Sequence, residues 1–215
     1  DFYMLTETCC QIDLLKLFSG GFCTGHGYLR EPNDITSYAA LACIAIQANQ
    51  NEMHGGQSIP NFDYCMAPGV KKTFRKLYAK VLYRYLNAAH GVEQDCFKAV
   101  NEAARAELGD ISIGNADEYG KGIVPHLMKL NLSAEEAEKA HRFAVQCALD
   151  DTDRKTYQAM EALVHNLNTM NSRAGAQVPF SSINYGTDTS PEGRMAVRNL
   201  LLATEAGLGN GETPI

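Results

Sequence analysis

The chain has 215 residues, with 19 lysines and arginines against 25 aspartates and glutamates, a formal net charge of −6, and 45% hydrophobic residues. That apolar share supplies a sizeable core, and the acidic balance argues against a protein whose main partner is nucleic acid or an anionic membrane, since both select net positive charge. The longest charge-free stretch, 35–51, contains Thr36, Ser37, Gln47, Asn49 and Gln50 and is shorter than the roughly 20 apolar residues of a bilayer span, so no membrane segment is expected.

No basic stretch followed by an apolar run opens the chain, so no secretory signal is expected. Both ends read as cuts from a longer polypeptide. The seven cysteines, at 9, 10, 23, 43, 65, 96 and 147, form no CxxC pair and no finger spacing, which predicts a reduced, cytoplasmic protein.

Taken in chain order, residues 2–14 alternate and are rich in aromatic and β-branched types, predicting a strand. One face carries Glu7, Cys9, Gln11 and Asp13; the other carries Cys10, Ile12 and Leu14. Turn material at Ser19-Gly20-Gly21 and Gly25-His26-Gly27 precedes a helix from Asn33 or Asp34 to about 51, uncharged all round and therefore expected to be buried in a core or against a second subunit. His54-Gly55-Gly56 breaks it. A second helix is expected over about 70–89, with Phe74, Leu77, Tyr78, Val81, Leu82 and Tyr85 on one side and six basic residues around the rest.

A short helix over about 93–108 should give way to a glycine-broken loop. Ser133 and Glu136 form a capping box that opens a helix to about 149, and another is expected over about 152–170. Residues 171–176 then form a loop and 178–185 a strand, and Ser190-Pro191 starts a last helix that Gly207 ends. Long helices between strands imply parallel pairing and an α/β layer architecture.

Adjacent side chains on a strand point to opposite faces, so only one of Cys9 and Cys10 can serve a site. The face containing Glu7, Gln11 and Asp13 favours Cys9; the competing reading is that both are small packed residues. His54 ahead of Gly55 and Gly56 suits close approach of backbone to a ligand, or a helix cap. The six histidines show no metal-ligand spacing, so no metal is expected on this segment. Neither GxGxxG after a strand nor GxxxxGK[ST] occurs. The basic run at 70–89 reads first as a solvated face, and the polar loop before residue 178 as either a ligand contact or a connector.

The strings GFCTGHGYLREP, ACIAIQANQNEMHGGQSIPNFDYCMAPGV and NTMNSRAGAQVPFSSINYGTDTSPEGR resemble the anaerobic, class III ribonucleotide reductases, closely over 1–89 and 155–215. The resemblance implies an α/β fold, the N-terminal part of a ten-stranded α/β barrel of the glycyl-radical type with a helical insertion over about 70–170. The ATP-cone, the thiyl-cysteine loop, the glycyl-radical domain and the family's structural zinc site are then expected outside residues 1–215.

The activity so implied is oxygen-independent reduction of ribonucleoside triphosphates by glycyl and thiyl radical chemistry, with Cys9 as the catalytic cysteine of the first barrel strand. His54, Gly55, Gly56, Ser182 and Asn184 are the expected substrate-binding residues. Asn171, Ser172, Arg173 and Gln177 are expected in the loop that relays effector identity to the substrate. Implied partners are deoxynucleotide and ATP effectors, a second copy of the chain at helix 34–51, and a radical-SAM activating enzyme. A non-catalytic nucleotide-binding or dimerisation module, or a glycyl-radical enzyme of the formate-lyase type, is the alternative.

Overall fold

The structure, a computed structural model, describes residues 9–25, 27–53, 55–171 and 177–214. It is an α/β assembly in which helices dominate and the strands are short. Two compact units divide it, residues 1–70 with 155–215, and residues 71–154.

In the first unit, β1 (Cys10–Gln11), β4 (Gln57–Ile59) and β5 (Ser181–Ile183) form a sheet in the order β1-β4-β5, and both pairings are parallel. A second pair, β2 (Phe22–Cys23) and β3 (Tyr28–Leu29), is antiparallel. Of the strand expected over 2–14, residues 2–8 lie outside the described residues, and its other end stops short: Asp13 leaves the strand to cap α1 (Leu14–Phe18), accepting the Lys16 N–H at 3.2 Å. The strand expected over 178–185 likewise contracts to three residues.

Asp34 caps α2 (Ile35–Glu52) by accepting the Ser37 N–H at 2.9 Å. Its charge-free face is used as the sequence requires: between Ile35 and Gln50 only Thr36 and Ala40 are exposed. Tyr38 packs edge-on against Phe18, ring centroids 5.2 Å apart. Its ring also lies against Gly69 of α3 (Phe62–His90), where a Cβ would stand 2.8 Å from the ring carbons. That helix starts well before residue 70 and runs through Pro68. The last helix, α7 (Pro191–Ala206), has Ser190 as its cap, accepting from the Gly193 N–H at 3.0 Å, and ends at Gly207 with φ 78°.

The second unit takes most of α3, α4 (Gln94–Leu108), α5 (Ala116–Met128) and the first part of α6 (Ala134–Thr169). Its core gathers Phe74, Tyr78, Leu82 and Leu86 from α3 with Phe97, Ile123, Leu127 and the alanine series Ala137, Ala140, Ala144 and Ala148. Two expectations fail here. The loop expected after residue 108 contains α5, whose Gly120 and Gly122 are contact points: a Cβ there would fall 2.6 Å from the His141 ring and 2.5 Å from Leu108. Packing has overridden the poor helix propensity of glycine and proline.

The two helices expected over 133–170 are one. The Asp150-Asp151-Thr152-Asp153 run looks like a break and a new cap, but Thr152 is buried and its hydroxyl donates to the Ala148 carbonyl at 2.6 Å, one turn back. Asp150 and Asp151 pair along the surface with Gln146 and Arg154. The capping box holds, with Ser133 and Glu136 exchanging bonds of 2.8 and 3.2 Å. Among the described residues no helix is long and apolar enough to cross a membrane.

Candidate active site

The parallel register lines up one face of the sheet in rows. Gln11, Ser58 and Ser182 stand opposite one another across β1, β4 and β5. One step earlier, the Cys10 N–H donates to the Gly56 carbonyl at 3.1 Å and the Gln57 N–H to the Phe180 carbonyl at 2.9 Å. Side chains alternate along a strand, so Cys9, Gly56 and Phe180 form the preceding row on that face. The two rows, together with Cys10 and Gln57, border a cleft of about 430 Å³. Cys9, Gln11, Phe180 and Ser182 are exposed there.

The opposite face is packed at Gln57 but open at Cys10, which is half-buried and borders a larger cleft. Cys10 and Gln57 stand there, Gln57 buried with its side-chain oxygen accepting from the Asn49 amide of α2 at 2.9 Å. Cys9 and Cys10 thus face different surroundings, as the alternation requires. Two other thiols are removed from chemistry altogether: burial pushes Cys43 up to about 11 against a hydrogen bond from Asn166, and burial pushes Cys65 up to about 12. A thiol must ionise or meet a partner at its surface to react, and neither can.

The exit of β5 is held from α3. Asp63, fully buried, accepts at Oδ2 the N–H groups of Gly186, Thr187 and Asp188 at 2.8, 2.9 and 2.8 Å, and at Oδ1 its neighbour Tyr64 at 3.0 Å. Burial alone would raise this carboxyl, yet the backbone donors outweigh it and hold it below the usual carboxylate value. Asn184 lies between this anchor and the cleft. Its backbone N–H donates to the Ile59 carbonyl at 2.9 Å, its own carbonyl accepts from Phe62 at 3.0 Å, and its side-chain amide is 3.5 Å from the Ser58 hydroxyl.

Of the residues singled out in the sequence, the fold therefore brings Cys9, Gly56, Ser182 and Asn184 to one face. Gly55 precedes β4 with φ 84°, a left-handed conformation that suits glycine. Asn171 and Gln177 are exposed. His54, Ser172 and Arg173 lie outside the described residues. Sequence reasoning passed over Ser58 and Phe180; the signal for Phe180 was its even spacing from Ser182 and Asn184. A second cleft, of about 740 Å³, opens beyond β1 and is bordered by Cys10, Cys23, Lys16, Asn49 and Glu52.

The basic run of α3 is mostly a solvated face, with Lys71, Lys76, Lys80 and Arg84 exposed. Arg75 instead pairs with Asp110, which also takes Arg105 at 2.7 Å. Burial opposes ionisation of Asp110, but the two guanidinium groups more than offset it and hold the carboxyl low.

The described sheet face thus sets an exposed thiol at the head of β1 beside hydroxyl and amide side chains of an α/β chain. The family model described as anaerobic ribonucleoside-triphosphate reductase matches residues 1–215, and the chain belongs to that family. It is similar to the anaerobic ribonucleoside-triphosphate reductase of enterobacteria phage T4, 24% identical over 96% of this chain and 25% of the relative. It is also similar to the enzymes of that name from Salmonella typhimurium, 21% identical, and Escherichia coli, 22% identical. These two alignments each cover 94% of the chain. The chain thus spans 20% to 25% of the length of these relatives.

Proposed function

We propose that the protein containing this chain reduces ribonucleoside triphosphates to 2′-deoxyribonucleoside triphosphates without oxygen, and that residues 1–215 are the first part of its catalytic barrel. The observation that carries this reading is the position of Cys9: an exposed thiol at the head of the first parallel strand, in a cleft also bordered by the half-buried Cys10 and by Gln11, Ser58 and Ser182.

In this reading the ribose lies over the sheet face. Cys9 delivers a hydrogen atom at C2′ as water leaves, a task that demands a thiol fixed by backbone pairing within contact distance of the sugar. Ser58, Ser182 and Asn184 offer hydroxyl and amide groups to the sugar hydroxyls. Cys10, whose side chain alternates to the opposite face, takes no part. Glycyl and thiyl radical groups, expected beyond this chain, supply the oxidising step at the sugar, and formate or a thioredoxin-type dithiol supplies the reducing equivalents. No residue of the cleft is assigned to a metal.

The resemblance of the loop 171–177 to the family's specificity relay supports a role for Asn171, Ser172, Arg173 and Gln177 in passing effector identity to the substrate. The buried, uncharged character of α2 supports its use beside a subunit interface. Homodimerisation, deoxynucleotide and ATP effectors and a radical-SAM activating enzyme belong to the same reading.

The test uses full-length protein, activated under anoxia. Cys9→Ser should abolish ribonucleotide reduction while leaving folding and effector binding at parent levels, because it keeps side-chain size and removes only the weak S–H bond. Cys10→Ser should be far milder. Equal loss in both variants would sink the assignment of faces, and full turnover in the Cys9 variant would sink the mechanism.

A further inference from the structure

Phe180 is 78% exposed, yet its backbone is fixed. Its carbonyl accepts the Gln57 N–H at 2.9 Å, immediately ahead of the β4–β5 pairing. The ring lies across Gly56: a Cβ built on that glycine would stand 3.1 Å from one ring carbon and 3.4 Å from the next. Gly56 has no left-handed backbone to explain its identity, so what its missing side chain provides is the seat for the ring. Cys9 stands on the far side of Gly56 in the same row. With strands about 4.8 Å apart, the α-carbons of Cys9 and Phe180 are about 10 Å apart.

A large apolar side chain held open to solvent on a rigid strand forgoes the gain of burial. Its neighbours in the cleft are thiols, hydroxyls and amides. A flat ring seated beside such groups is what a ligand with one aromatic and one polyhydroxylated part would use. Resting on the reading of the cleft as a ribonucleotide site, we propose that Phe180 is the platform on which the substrate's nucleobase stacks, and that Gly56 is glycine so that the ring can lie flat enough to receive it. The base is attached to the carbon next to C2′, so a base over Phe180 sets the C2′ side of the sugar toward Cys9.

Stacking on a ring uses the π-face that every base has, so it adds affinity without choosing among bases. Phe180 therefore acts on all substrates alike, in contrast to a loop that relays effector identity.

The experiment measures equilibrium binding of a purine and a pyrimidine ribonucleoside triphosphate to the full-length, unactivated protein, a measurement that needs no radical. KM and kcat of the activated protein follow. Phe180→Ala should raise Kd and KM about tenfold or more for both nucleotides, with thermal unfolding unchanged. Phe180→Tyr should keep the parent's affinity, and Phe180→Leu should not restore it. Gly56→Ala should weaken binding in the parent and have no further effect in the Phe180→Ala protein, where the ring it displaces is gone.

Unchanged Kd in Phe180→Ala, full affinity in Phe180→Leu, or an equal Gly56→Ala effect in both backgrounds would each overturn the assignment. If the parent binds ribonucleotides with Phe180 dependence but reduces none, the stacking site stands and the catalytic reading fails. If it reduces ribonucleotides with a KM indifferent to Phe180, the catalytic reading stands and this one fails. A parent that binds no ribonucleotide overturns both.

Discussion

Asp63 accepts the backbone N–H of Asp188 at 2.8 Å, so two carboxylates more than 120 positions apart meet without opposing each other. Asp63 offers its charge to the loop backbone, while the side chain of Asp188 turns to Ser190, accepting its N–H at 2.8 Å and its hydroxyl at 2.9 Å. Ser190 in turn caps α7. One buried carboxylate therefore fixes the loop that joins the cleft strand β5 to the final helix.

Asp63→Asn should cost about 1.5–3 kcal/mol, the range for hydrogen bonds to a charged group, because a neutral amide cannot accept the three loop donors as strongly and must turn its N–H₂ toward either them or the Tyr64 N–H. The acid limb of the stability curve should change too. The folded carboxyl titrates below its ordinary value, so its contribution is present above about pH 4 and is lost as pH falls through the lower folded value. Chemical denaturation between roughly pH 3 and pH 7, a window that spans the ordinary carboxylate range, checks this. A variant with an unchanged acid slope would show that the anchor carries no linkage.

The second unit has its own acid sensitivity at higher pH. His141 is buried, its Nδ1 accepting from the Tyr78 hydroxyl at 2.8 Å and its Nε2 donating to the Ala116 carbonyl at 3.1 Å, so both nitrogens are occupied in the neutral form. Burial holds its pKa below the ordinary value. The unfolded chain therefore takes up a proton first, and stability should decline as pH falls below about 6.5, levelling off once the folded ring also protonates. Tyr78→Phe, which strands the buried Nδ1, should cost about 1–3 kcal/mol. Hydrogen exchange of α5 and α6 amides at pH 7 and pH 5.5 (roughly either side of the free-imidazole value) would reveal the decline; equal protection at both would contradict it.

Gly69→Ala should destabilise by about 1–3 kcal/mol through overpacking. The added carbon would stand 2.8 Å from the buried Tyr38 ring, which Phe18 already fixes from another side. Tyr38→Leu should relieve the strain, so the double variant should be less damaged than the sum of the two singles; strict additivity in urea melts would exclude the contact.

Thiol labelling of the native full-length protein should leave Cys43 and Cys65 unmodified until the chain unfolds, because both are buried and raised far above neutral pH. Mass mapping after brief alkylation checks this. Labelling of either at the rate of a free thiol would mean that the α2–α3 packing opens readily.

The parts of the fold written locally were legible. Asp34, the Ser133 and Glu136 box, and Ser190-Pro191 with Gly207 each mark a helix end through hydrogen bonds a few residues long. What failed was whatever distant packing decides: α5 forms across Gly120, Gly122 and Pro125 because His141 and Leu108 press on it, and Thr152 continues α6 because it is buried. The site was half legible. Alternation separated Cys9 from Cys10 and paired Ser182 with Asn184, but nothing local shows that β4 lies between those strands, so Ser58 and Phe180 were passed over.

That interleaving sets the order in which the molecule can assemble. The Asn184 amide and the Ser58 hydroxyl it approaches are 126 positions apart, whereas the helices of residues 71–154 join neighbours in sequence. Closing so long a loop is entropically slow, and local contacts form first. As the chain leaves the ribosome, Cys9 and β4 emerge early, the helical span follows, and the cleft has no third wall until Ser182 has been synthesised. The thiol is thus the oldest part of the site and the β5 side, from Phe180 to Asn184, the youngest, so a nascent chain carries its reactive group long before it carries a pocket to use it.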